Sequence, residues 1–69
     1  MKKVLNERLV SYEEFLQIKE DRKRRFRVNY FDGIIRTDKI FQSKKYVKNL
    51  LSDPHISKVK IYVGDVIVE

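Results

Sequence analysis

Residues 25–37 read RFRVNYFDGIIRT. Phe26, Val28 and Tyr30 alternate with Arg25, Arg27 and Asn29, the period of two that marks a half-buried strand. Asp32-Gly33 follows, a dipeptide that tolerates the left-handed backbone of a two-residue hairpin loop. Counting pairs across that loop sets Tyr30 opposite Ile35, Val28 opposite Thr37 and Arg27 opposite Asp38. One face then carries Phe26, Val28, Tyr30, Ile35 and Thr37, and the other Arg25, Arg27, Asn29, Arg36 and Asp38. The first is the expected core face, with Val28 buried and Arg27 exposed.

The C-terminal stretch alternates in the same way, and Gly64-Asp65 reads as a second hairpin turn. That count puts Val59, Ile61, Val63, Val66 and Val68 on one face. Lys58, Lys60, Tyr62, Ile67 and Glu69 fall on the other, with Lys60 opposite Glu69. Two helices are expected. Ser11 and Glu14 form a capping box for a helix from about Tyr12 to Arg22, acidic at its start and basic at its end. Ser43 caps a second helix to about Leu51, whose stripe is Tyr46, Val47, Leu50 and Leu51, and Asp53-Pro54 stops it.

The resulting order is α-β-β-α-β-β. Two amphipathic hairpins bury their apolar faces by sharing one antiparallel sheet, with one or both helices on one face, in a small two-layer α+β sandwich. Residues 1–10 form an N-terminal arm or a short strand around Leu9 and Val10, and residues 11–69 a single α+β domain. Val66-Ile67-Val68 makes an apolar edge through which a homodimer could complete the sheet.

Composition narrows the function classes. Sixteen Lys and Arg against ten Asp and Glu give a net charge of +6, which favours nucleic acid or an acidic protein surface as partner. The chain has no cysteine and hence no disulfide or thiolate metal site, in keeping with a reducing, cytoplasmic setting. Lys2 and Lys3 resemble the start of a signal peptide, but Asn6, Glu7 and Arg8 interrupt the apolar run that one needs. No stretch approaches the roughly 20 apolar residues of a membrane span, so no membrane partner is expected.

No catalytic constellation is legible. His55 is the only histidine, and in Asp53-Pro54-His55 it reads as an exposed loop residue rather than a base oriented by Asp53. One imidazole without thiolates makes no metal site, and both glycines are assigned to turns, leaving none for a phosphate loop. No cofactor and no enzymatic activity are expected.

A non-enzymatic binding module remains. If the hairpins are neighbours, Arg25, Arg27, Arg36, Lys58 and Lys60 share one surface with Tyr62, a basic platform with an aromatic for nucleic acid. The alternative uses Phe31, Ile34, Tyr62 and Ile67 on that face as the apolar centre of a protein interface. A self-associating accessory protein of bacterial or phage type would present the same residues.

Overall fold

Residues 2–68 are described by the structure, a computed structural model. Six elements run β-α-β-β-α-β: β1 (Lys3–Val10), α1 (Tyr12–Gln17), β2 (Arg24–Phe31), β3 (Arg36–Phe41), α2 (Lys44–Leu51) and β4 (Ser57–Val68). The strands form one antiparallel sheet in the order β1-β4-β2-β3. Both helices cover the same face, so the architecture is the expected two-layer α+β sandwich. Its element order differs from α-β-β-α-β-β. β1 and β2 run parallel with β4 between them, and β3 and β4 run parallel with β2 between them, so each helix carries the chain across one intervening strand.

Alternation in β2 and β4 places the core. Phe26, Val28, Tyr30, Ile61 and Val63 point to the helix side and are buried together with Val10, Phe15 and Val47. Phe15 of α1 meets Phe26 edge-on, with ring centroids 5.2 Å apart. From α2, Val47 is buried while Leu50 and Leu51 pack partly against the cluster.

Gly64-Asp65 is not a turn. β4 passes straight through it, and Gly64 pairs with Glu7 of β1 on one side and Arg25 of β2 on the other. The glycine is there for close approach, because a Cβ at position 64 would lie 2.8 Å from both Glu7 Cγ and Leu5 Cδ1. A hairpin at this point would have left only Val66, Ile67 and Val68 as its second arm, whereas β1 supplies partners from Val10↔Ile61 to Lys3↔Val68. Without a turn the parity after residue 64 reverses. Ile67 joins Ile61 and Val63 on the helix side, and Val66 and Val68 move to the opposite face. Lys60 pairs with Asn29, and its expected partner Glu69 lies outside the described residues.

The first hairpin forms with a longer loop. Residues 32–35 connect β2 to β3, and Phe31 pairs with Arg36, Tyr30 with Thr37 and Asn29 with Asp38. The register is displaced by two residues from the two-residue count, an even shift, so the faces survive except that Ile35 leaves the core face for the exposed loop. Asp32 causes the displacement. Its Oδ1 accepts from the backbone N–H groups of Ile34 and Ile35, both at 2.9 Å, while Gly33 takes φ +97°.

α1 ends at Gln17, well short of Arg22. The capping hydroxyl forms, with Ser11 Oγ accepting from Glu14 N at 3.1 Å, but the Glu14 carboxylate turns to Arg8 instead of closing the box. Ile18 then adopts an extended backbone and packs against the core. Lys44 Nζ donates to the carbonyls of Leu16 and Ile18, each at 2.8 Å, and Glu20 Oε1 accepts from Lys44 N at 2.7 Å. The end of α1 and the start of α2 thus satisfy each other's orphan backbone groups, which suits helices too short to persist alone.

Phe15→Ala is expected to destabilise the fold by about 3–5 kcal/mol and Ile61→Ala by about 2–5 kcal/mol, read by denaturant unfolding. Gly64→Ala costs about 1–3 kcal/mol through overpacking. Leu5→Ala in that background recovers part of the loss, and strict additivity of the pair would contradict the close approach. The N–H groups of Ile35 and Ile34 hold the Asp32 carboxyl below its ordinary pKa. Its contribution to stability is therefore complete above the ordinary carboxylate range and is lost as pH falls through the lowered value. An NMR titration in which Asp32 protonates at or above the ordinary range would refute this.

Candidate functional site

The face of the sheet away from the helices is uncovered. At its centre Arg27 of β2 faces Tyr62 of β4, with the guanidinium carbon 4.1 Å from the ring centroid. Arg27 Nε donates to Glu7 Oε2 at 2.8 Å, and Nη1 donates to both oxygens of Asp38 at 3.1 and 3.0 Å. The residue is 25% exposed in its side chain, not free as expected, and Glu7 is equally covered. Glu7 first, and then Asp38, hold the Arg27 guanidinium above its ordinary pKa. Arg27 and Tyr62 are thus tied to each other and to the sheet, and both are half-buried.

Arg25 is also occupied, but only by neutral groups. Its Nη1 donates to the carbonyls of Arg22 at 2.7 Å and Arg24 at 2.9 Å, pinning the loop that enters β2. On the helix side, Arg24 bonds Asp65 at 2.9 Å and the Lys19 carbonyl at 2.7 Å.

The remaining three predicted cations come together at one end of the open face. Phe31 pairs with Arg36 on one side and with Ser57 on the other, and Asn29, the next residue of β2 on the same face, pairs with Lys60. β4 carries one extra residue between these two pairs, a bulge, and within it Lys58 has φ 52°. A lysine in the left-handed region is strained, and the bulge re-aims its side chain. Lys58 Nζ lies 5.6 Å from the centroid of the Phe31 ring. Arg36 locks the arrangement, donating from Nη2 to the Lys58 carbonyl at 3.1 Å and from Nε to Asn29 Oδ1. Among the described residues no carboxylate pairs with Arg36, Lys58 or Lys60.

The residues of the alternative interface do not form one patch. Phe31 and Ile34 lie at this same end, with Ile34 84% exposed at the loop tip. Tyr62 is under Arg27 at the centre, and Ile67 is on the opposite face toward the far end of the sheet. Phe31 was legible as an outward residue from its parity. Its place beside Lys58 was not, since a bulge leaves no local mark in sequence.

His55 is 81% exposed, and Asp53 Oδ1 accepts from its backbone N at 2.9 Å with the ring Nδ1 3.1 Å away. The backbone bond first, and the ring second, hold the Asp53 carboxyl below its ordinary pKa. Ser52 Oγ donates to the Asn49 carbonyl at 2.6 Å and closes α2. A cleft of about 520 Å³ opens on the helix side over Val10, Val59 and Ile61, with Lys48 at its rim. Among the described residues no three His, Cys, Asp or Glu side chains gather as metal ligands, and no helix is long and apolar enough to cross a membrane. No protein-family model, curated protein or solved structure matches the chain.

Arg27→Met is expected to lower stability by about 1–3 kcal/mol, since it leaves the half-buried Glu7 carboxylate without its partner. Asp38 is more exposed and contributes less. Glu7→Gln in the Arg27→Met background should cost little further; a melting temperature unmoved by Arg27→Met would show that the network carries no load.

Proposed function

We propose that this protein is a small, non-enzymatic nucleic-acid-binding module whose contact surface is the Arg36, Lys58 and Lys60 end of the open sheet face. The observation that carries the reading is that these three cations occupy neighbouring register positions without carboxylate partners among the described residues. Elsewhere on that face Glu7 and Asp38 engage Arg27, which removes the centre of the originally expected platform from the contact. Cations bonded to no carboxylate along one strip displace condensed counterions from a phosphate backbone, and this supplies sequence-independent affinity. Arg25 stands apart from the strip, opposite Gly64 and beyond Arg27 along β2. A cytoplasmic location accompanies this reading. Ile34 and Ile35, both exposed in the adjoining loop, favour a second reading in which the same end docks an acidic protein surface or a second copy of the chain.

Three phosphate contacts predict that log affinity falls against log salt with a slope of about −2 on a single strand or −2.7 on a duplex. The corresponding loss between 50 and 200 mM salt is roughly 20-fold to 40-fold. Fluorescence anisotropy with labelled oligonucleotides reads this directly. Replacing Arg36, Lys58 and Lys60 together with Ala should abolish both binding and its salt dependence. Replacing Lys45 and Lys48, on the exposed side of α2, should change neither. Absence of salt-dependent binding by the wild type at 50 mM discards the nucleic-acid reading. Sedimentation that shows self-association lost on Ile34→Asp supports the second one.

A further inference from the structure

The open end that we assign to nucleic acid is built for unpaired bases, and we infer that the module selects single-stranded over double-stranded nucleic acid through Phe31. The inference rests on the nucleic-acid reading and adds the class of ligand.

Among the described residues, the half-buried Phe31 is the aromatic side chain on this face that has no guanidinium over its ring. Tyr62 lies beneath Arg27 at 4.1 Å, whereas the cation nearest Phe31 is the Lys58 ammonium at 5.6 Å, at the end of a mobile four-carbon stem. The ring stands between cations on both flanks, Arg36 on β3 and Lys58 on β4, with Lys60 one pair further along. Strands are spaced about 4.8 Å apart, so these charges stand within reach of consecutive phosphates beside a base laid on the ring. A duplex keeps its bases stacked on one another and presents only its backbone to such a surface. A broad sheet face also lacks the single helix or narrow ribbon that enters a major groove. The unpaired strand alone engages the ring and the cations together.

The backbone supports the same conclusion. Lys58 holds φ 52°, a conformation that a glycine would adopt without strain, and its carbonyl is secured by Arg36 Nη2 at 3.1 Å. The extra residue of the bulge sets Ser57, rather than Lys58, opposite Phe31, and the Lys58 ammonium lies 5.6 Å from the Phe31 ring. The polar amide of Asn29 lies next to this group, with its Oδ1 taken by Arg36 and its Nδ2 donating to Asp38 at 3.3 Å. Asn29 therefore braces the cluster and is not a base-reading group, which points to binding with little sequence preference.

The test compares a labelled ten-nucleotide thymidine strand, a ten-base-pair duplex and vesicles containing one-third phosphatidylserine, at 50 and 200 mM salt. Wild type should bind the single strand more tightly than the duplex and leave the vesicles unbound. Phe31→Leu keeps an apolar side chain but removes the ring, and should weaken single-strand binding by roughly 5-fold to 150-fold while leaving the duplex affinity unchanged. Phe31→Trp should restore it, with indole fluorescence quenched as the strand binds. Lys58→Gly relieves the backbone, removes one cation and should flatten the single-strand salt slope by about 0.7. Circular dichroism and melting of each variant establish that it is folded before binding is read. Equal affinity for strand and duplex, or no effect of Phe31→Leu in the folded protein, overturns the single-strand inference and leaves the nucleic-acid reading standing. Binding to neither nucleic acid defeats the reading beneath it, and capture by vesicles alone assigns the cationic end to an anionic lipid surface and overturns both.

Discussion

The unbroken course of β4 is the constraint on which the rest of this molecule depends. It is an interior strand with β1 on one side and β2 on the other, and it contributes Ile61 and Val63 to the core. For both ladders to persist past residue 63, the strand has to pass a position where Glu7 and Leu5 lean across it toward β2. Only a residue without a Cβ leaves that space. Glu7 thereby reaches Arg27 at 2.8 Å and joins the N-terminal strand to the centre of the sheet by charge as well as by backbone pairing. Close approach at Gly64, the Glu7–Arg27–Asp38 network and the stacking of Arg27 on Tyr62 are consequences of one continuous strand.

The two layers divide the work unequally. The helix layer is minimal, six residues in α1 and eight in α2, and each helix contributes one fully buried side chain, Phe15 and Val47. Such short helices gain little from propensity, and their ends are tied by Lys44 and Glu20. The sheet supplies most of the organisation, and its uncovered face is where function is to be sought. There the charges fall into two classes. Arg27 is embedded among carboxylates and an aromatic ring and holds strands together, whereas among the described residues no carboxylate pairs with Arg36, Lys58 or Lys60. Net charge counts both classes alike, so +6 overstates what is available to a ligand at any one place.

A strained bulge at the edge of that second group has a cost that nearby hydrogen bonds offset. Arg36 reaches from the edge strand β3 over β2 to the Lys58 carbonyl and to Asn29, so β2, β3 and β4 meet at one guanidinium. Side chains held in place in this way lose less entropy on binding, which is what the proposed contact surface requires.

Local patterns in the sequence were sufficient for the features that depend on neighbouring residues. Alternation from Arg25 to Tyr30 determined which side of β2 is buried, Ser43 and the apolar stripe after it determined α2, and Asp32-Gly33 determined that the chain turns there. The class of a two-layer α+β sandwich follows from those amphipathic elements having to cover one another. The partner of β4 was a tertiary decision. Gly64-Asp65 suits a hairpin as well as it suits a close crossing of side chains, and only the competing ladder offered by Lys3–Val10 settles between them. The fate of each cation was likewise invisible, because Glu7 lies 20 residues from Arg27 in the chain and 2.8 Å away in space. The end of α1 was decided by Lys44 and the core, against a sequence pattern that would have carried the helix further. Periodicity reports the face a side chain takes relative to its own element, while pairing, register and charge compensation depend on which distant segment arrives beside it, and packing alone selects that segment.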